Sequence, residues 1–148
     1  MSNQEKRVRY SWHLLLVVAL FLFLYGIGAY DYVMTVSQNQ GYFDYLGYNQ
    51  TVIDYFTNYP LVLLIFWTIN IFGGLATLLF MLLRKEMAFY FSVATFVSMF
   101  LLDSITFFFR NRWHVIGAEA SAMDILVLIL TLGLCVYNYF LFRNHRNE

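Results

Sequence analysis

The sequence predicts an all-α integral membrane protein, a four-helix bundle running up-down-up-down with a short interfacial helix in its first outer loop. Three observations predict it. Hydrophobic residues make up 61% of the chain and charged residues only 12%, where a soluble domain carries about 45–50% and about 25%. Four segments are apolar over about 20 residues or more, the length a helix needs to cross the hydrocarbon core. The few polar residues within those segments recur on single helical faces.

The 148 residues are read as one transmembrane domain, 1–148, with helices at about 11–36, 60–83, 87–109 and 121–142. Residues 1–10 are polar and basic. The apolar stretch after them runs from Leu14 through Ala29, longer than the h-region of a signal peptide and without an A-x-A cleavage pattern, so a retained helix is expected. Tyr10 and Trp12 at one end of that helix, and Tyr30 and Tyr32 near the other, fit interfacial aromatic belts.

The loop that follows, about Ser37 to Tyr59, is rich in aromatics: Tyr42, Phe43, Tyr45, Tyr48, Tyr55, Phe56 and Tyr59, with Asp44 and Asp54 among them. Val52, Tyr55, Phe56 and Tyr59 recur at helical spacing and predict a short amphipathic helix on the interface. It either caps the bundle at headgroup depth or forms a lid over a site. Asn49-Gln50-Thr51 is a glycosylation sequon only in a eukaryotic secretory route.

The stretch Tyr59–Arg84 organises the chain. Pro60 suits the first helical turn, where its missing N–H costs nothing. No charge follows until Arg84-Lys85-Glu86, a turn so short that helices two and three must be neighbours. Arg110, Asn111, Arg112, Trp113 and His114 open the second polar loop, which ends near Ala120, and Arg143 to Glu148 forms the tail.

The order Tyr55, Phe56, Tyr59-Pro60, Trp67, Gly73-Gly74, Leu78-Leu79, Leu82-Leu83-Arg84-Lys85, Ala88 resembles a family of small bacterial four-helix membrane proteins often labelled sugar transporters by automated naming. The resemblance covers about Asn49 to Phe109, and helices one and four only in hydropathy and length. Members often carry a tryptophan near the proline and a later glycine in helix two, where this chain has Leu61-Val62 and Ala76-Thr77. The resemblance implies the fold and brings no binding or catalytic residues with it.

With both termini inside, the inner segments hold Lys6, Arg7, Arg9, Arg84, Lys85, Arg143 and Arg146, and the outer loops only Arg110 and Arg112. Seven basic residues against two predict a multi-pass protein of the plasma or inner membrane with cytoplasmic termini.

At about 100° per residue each helix carries one small or polar stripe. Helix one aligns Tyr25, Gly28, Tyr32 and Thr35; helix two Asn70, Gly74, Thr77 and Met81. Helix three aligns Ser92, Thr95, Met99, Asp103 and Thr106, and helix four Asp124, Leu128, Thr131, Cys135 and Asn138. Lipid tails are as apolar as leucine, so small residues and cross-helix hydrogen bonds must hold the helices together. Gly28, Gly73, Gly74 and Thr77 are the expected packing positions, with Gly73-Gly74 the closest approach. The stripes are either packing seams or the lining of a substrate or proton path.

Asp103 lies about six residues inside helix three, roughly 9 Å deep. A charge at the bilayer centre costs about 2.5–3.5 kcal/mol, somewhat less at this depth. Arg110, two turns on, is the expected partner, with Arg112 a second choice and Tyr32 or Asn70 as hydrogen-bond donors. Asp31 and Asp124 share the same outer third, and Asp124 is placed to favour the start of helix four through the macrodipole. Asp31, Asp103, Asp124, Asn70, Tyr32 and Arg110 are thus the candidate polar cluster, either a structural clamp or an outward site for a cation, proton or sugar.

No HExxH, CxxC or glycine-rich phosphate loop occurs. His13, His114 and His145 are not placed to share a ligand, no serine has a histidine partner at matching depth, and Cys135 is the single cysteine. No enzyme, cofactor or metal site is expected, and a net charge of zero makes no electrostatic case for nucleic acid. The expected partners are the lipid bilayer and either a second copy or another membrane protein. Two functions follow: an accessory or interaction protein, or a small transporter or permeation unit.

Overall fold

A computed structural model of the chain describes residues 11–143. The basic residues Lys6, Arg7, Arg9 and Arg146, with Tyr10 and His145, lie outside the described residues. Those described form seven helices and no strand: α1 (Trp12–Val36), α2 (Gln40–Tyr45), α3 (Gln50–Thr57), α4 (Leu61–Leu82), α5 (Met87–Phe109), α6 (Arg112–Ile116) and α7 (Ala118–Arg143). Four of them, α1, α4, α5 and α7, are long and apolar enough to cross a membrane.

The stripes face inward. Asn70, Gly74, Thr77 and Met81 are all buried, as are Ser92, Thr95, Met99, Asp103 and Thr106, and Thr131, Cys135 and Asn138. The opposite faces leave Leu16, Phe23, Ile27, Phe72, Leu79, Phe100, Ile129 and Phe140 exposed. This is an inside-out arrangement that water would penalise and lipid would not.

α4 is the hub between α1 and α5, and its paired glycines serve both. A methyl on Gly74 would collide with the Tyr25 ring of α1, and one on Gly73 would stand 2.7 Å from Thr95 Oγ1 of α5. Gly28 receives Ile71 Cδ1 at 3.0 Å from where its Cβ would be. Thr77 is fully buried and donates to the Gly73 carbonyl at 2.8 Å. α7 packs on α5 through Cys135, whose Sγ lies 3.0 Å from the Ser92 carbonyl. It returns to α1 through Tyr25–Thr131 (3.4 Å) and His13–Tyr137 (2.8 Å).

Most stripe hydroxyls do not bond across helices as expected. Thr68, Thr77, Thr95, Thr106 and Thr131 donate to the carbonyl four residues back on their own helix, at 2.8–2.9 Å. Each is satisfied locally, although Thr95 Oγ1 also faces Gly73 of α4 and the Thr68 and Thr131 hydroxyls also meet Tyr32 and Tyr25 of α1. The seams are therefore closer to van der Waals packing than to a hydrogen-bonded network.

Three helix ends depart from the sequence reading. The aromatic loop holds two helices rather than one. Asn39 and Asn49 cap them, their side chains accepting from the Tyr42 and Val52 amides at 2.9 and 3.1 Å, so the sequon asparagine is engaged as an N-cap. Tyr59 lies beyond α3, and Pro60 is the N-cap of α4, one position before the first turn. α7 begins at Ala118 rather than Ser121, and a further short helix, α6, occupies the second loop.

The ends of α1, α2 and α4 share one device. The amide after the left-handed residue returns to a carbonyl five positions back: Asn39 to Met34, Tyr48 to Phe43 and Lys85 to Phe80. This Schellman closure needs positive φ at the preceding residue. Gly47 adopts it freely at 68°, but Gln38 and Arg84 adopt it at 56° and 53° with side chains attached, at about 1–2 kcal/mol each. Gln38 is offset by its contacts. Its amide nitrogen donates to the Thr35 and Phe56 carbonyls, and its oxygen accepts from Thr57, tying α1 to α3.

Candidate functional site

The aromatic loop folds into a packed lid over the start of α4. Val52, Tyr55 and Phe56 of α3 are buried against Tyr48, Tyr59, Trp67 and the α6 residues Val115 and Ile116. Trp67 is the pivot, in ring contact with Phe56, Tyr59 and Tyr32 at 5.2–6.2 Å between centroids. Amphipathic spacing explains why α3 turns this face inward.

Arg110 belongs to the lid, not to Asp103. Its guanidinium lies 4.1 Å from the Tyr55 ring centroid and 5.0 Å from that of Tyr59, and it donates to the Tyr55 carbonyl at 3.0 Å. The expectation that it reaches back two turns fails because α5 ends at Phe109. Arg110 is already off the helix with φ −117°, and its guanidinium lies over two aromatic faces instead.

Arg112, not Arg110, is the arginine paired with a carboxylate. Its Nε lies 2.6 Å from Asp124 Oδ2, an ion pair in which both side chains are largely buried. Burial works against the Arg112 charge, but the Asp124 carboxylate outweighs it, and the guanidinium is held more firmly protonated than usual. Asp124 is therefore a salt-bridge partner rather than a macrodipole residue. The earlier start of α7 leaves it six positions past Ala118, and Glu119 takes the first-turn place.

Asp31 and Asp103 both lie within electrostatic reach of Arg112 and Asp124. Asp31 accepts from the Tyr42 hydroxyl at 2.7 Å and, more weakly, from Thr35 at 3.5 Å. Asp103 is 7% exposed, and its Oδ2 has no hydrogen-bond partner. Neither Tyr32 nor Asn70 supplies one. Tyr32 pairs with Thr68 at 2.7 Å, and Asn70 is buried elsewhere on α4. The candidate residues thus divide. Asp124 pairs with Arg112, and Asp31 and Asp103 feel that pair at longer range, whereas Arg110 serves the lid, Tyr32 joins α1 to α4 through Thr68, and Asn70 is buried on α4.

Three lid tyrosines feel this cluster. Tyr42 is pushed well above the ordinary phenol value by burial and then by its bond to Asp31. Burial also raises Tyr48 and Tyr59, and both lie near Arg112 and Asp124. They are hydrogen-bond donors at neutral pH, not bases. Sequence reasoning missed Tyr42 as the Asp31 partner; its place eleven residues on, across a helix end, left no periodic signal. No group of three or more metal-ligating side chains occurs among the described residues.

Comparison with family models, with curated proteins and with solved structures gives no match.

Proposed function

We propose that this is a multi-pass membrane protein whose four long helices cross the bilayer up-down-up-down, with both termini cytoplasmic and the aromatic lid outside. Its role is that of an accessory or interaction protein for another membrane component. The observation that carries the reading is how the inward polar groups are spent. Stripe hydroxyls bond their own backbone, Asp124 is paired with Arg112, Asp31 is held by Tyr42, and the lid rings pack over them. A permeation path needs polar groups that water can reach; here they are buried and largely satisfied within the fold. The outward faces remain apolar along their length and offer area to lipid and to a partner helix.

One observation favours a transporter instead, namely the unpartnered Oδ2 of buried Asp103. An ionisable group left unsatisfied at this depth suits a proton or cation site. Asp103→Asn separates the two. The accessory reading expects normal expression, normal stability and an unchanged set of crosslinked membrane partners. Loss of proton-coupled or cation uptake in proteoliposomes on this substitution would establish transport and reject the accessory role. Orientation is tested with cysteines at Tyr45 and Lys85. An impermeant thiol reagent applied to whole cells should label the first and spare the second.

A further inference from the structure

At the end of the bundle away from the lid, a cavity of about 340 Å³ opens between the start of α5 and the last turns of α7. Its lining includes Glu86, Tyr90, Asn138, Tyr139, Phe142 and Arg143. Neither function above uses it. We propose that this cavity binds the headgroup of a zwitterionic aminophospholipid, an ammonium joined to a phosphodiester, with the acyl chains lying on the exposed α5–α7 face.

Three features point there. Asn138 lines the cavity, fully buried, and both its amide oxygen and nitrogen lack hydrogen-bond partners. A desolvated amide with a free donor and a free acceptor is costly unless something supplies both halves, and a phospholipid's ester and phosphodiester oxygens with its ammonium do so. The rim carries one charge of each sign, Glu86 and Arg143, which complements a zwitterion better than an anion. Below the rim, Val93 and Val136 are exposed and apolar, giving acyl chains a dry track. The tyrosines at the mouth suit headgroup depth, and the volume falls within the usual range for small-ligand sites.

The inference rests on the membrane reading. Protein purified in detergent and delipidated would be offered phosphatidylethanolamine, phosphatidylcholine or phosphatidylglycerol in mixed micelles, with retained lipid read by native mass spectrometry. The ethanolamine lipid should be retained about tenfold over the other two, since choline cannot donate hydrogen bonds and glycerol carries no cation; one charge-assisted bond has that worth. Glu86→Gln and Arg143→Gln, both at exposed rim positions, should each lose about tenfold, as should Asn138→Leu, while Asp103→Asn at the far end should change nothing. Equal retention of all three lipids, or indifference to both rim variants, would overturn the proposal. Equal competition by soluble glycerophosphoethanolamine would overturn the assignment to lipid. A chain that stays in the aqueous fraction without detergent would instead fail the membrane reading, a result distinct from any of these.

Discussion

Replacing Gly74 with alanine should weaken the fold more than any other glycine substitution in the long helices. The added methyl would occupy the space of the Tyr25 ring. Tyr25 is 3% exposed, packed against Phe21 at 6.1 Å and bonded to Thr131, so it cannot swing aside without leaving α7. Either α1 moves off α4 or the ring leaves its place. Overpacking of this kind costs about 1–3 kcal/mol, and alanine's better helix propensity returns about 1 kcal/mol. Three ring atoms stand in the methyl's way, which puts the cost at the upper end of that range, so the net loss is about 2 kcal/mol, roughly 30-fold in the folded fraction. Gly26 and Gly133 have nothing within 4 Å of where an added methyl would stand, so alanine there should be neutral or stabilising. Gly73→Ala should fall between, because only Thr95 Oγ1 stands in the way. Thermal or denaturant unfolding in detergent, with all four variants side by side, makes the comparison. Tyr25→Leu combined with Gly74→Ala should recover part of the loss. If Gly74→Ala were as stable as the parent, or Gly26→Ala equally damaging, the close α1–α4 contact would be wrong.

Three further outcomes follow from the same geometry. Asp124→Asn should destabilise by about 2–3 kcal/mol in equilibrium unfolding, less than a wholly buried pair loses because both partners keep some exposure, and Arg112→Gln should cost a similar amount. Gln38→Ala should be about 1 kcal/mol less stable than Gln38→Gly, since both lose the bonds to α3 but only alanine keeps the left-handed strain; unfolding midpoints of the two decide it. Folding raises the Tyr42 phenol above its ordinary 10.0, so its contribution is fully present below about pH 10 and fades as pH climbs through the higher folded value. In a tyrosinate absorbance titration, Tyr42→Phe should remove a late-titrating phenol and flatten the stability loss above pH 10.

Much of the site's neighbourhood was legible because long apolar helices leave few ways to place a polar side chain. Asn70, Thr77, Ser92, Asp103, Thr131 and Asn138 recur at helical spacing among leucines and phenylalanines, and all are buried. What was not legible lies where periodicity stops. Arg110 and Arg112 differ by two positions in a loop, yet one stacks on Tyr55 and the other pairs with Asp124. The choice depends on where α5 ends and α6 begins, marked by the left-handed Asn111 between them at φ 51°; asparagine tolerates that conformation better than most residues, but residue type alone does not say where it is used.

By itself the sequence determined the four long apolar helices, the face each turns inward and the close approach at Gly73-Gly74. Charge, small side chains and a period of about 3.6 residues act locally and can be counted along the chain. Only the tertiary structure decided that the first loop is two helices closing as a lid, that Gln38 rather than glycine ends α1, and that Asp124 takes Arg112 while Asp31 takes Tyr42. Those are choices among partners distant in the chain, and they turn on which groups the packed helices bring within a few ångströms of one another.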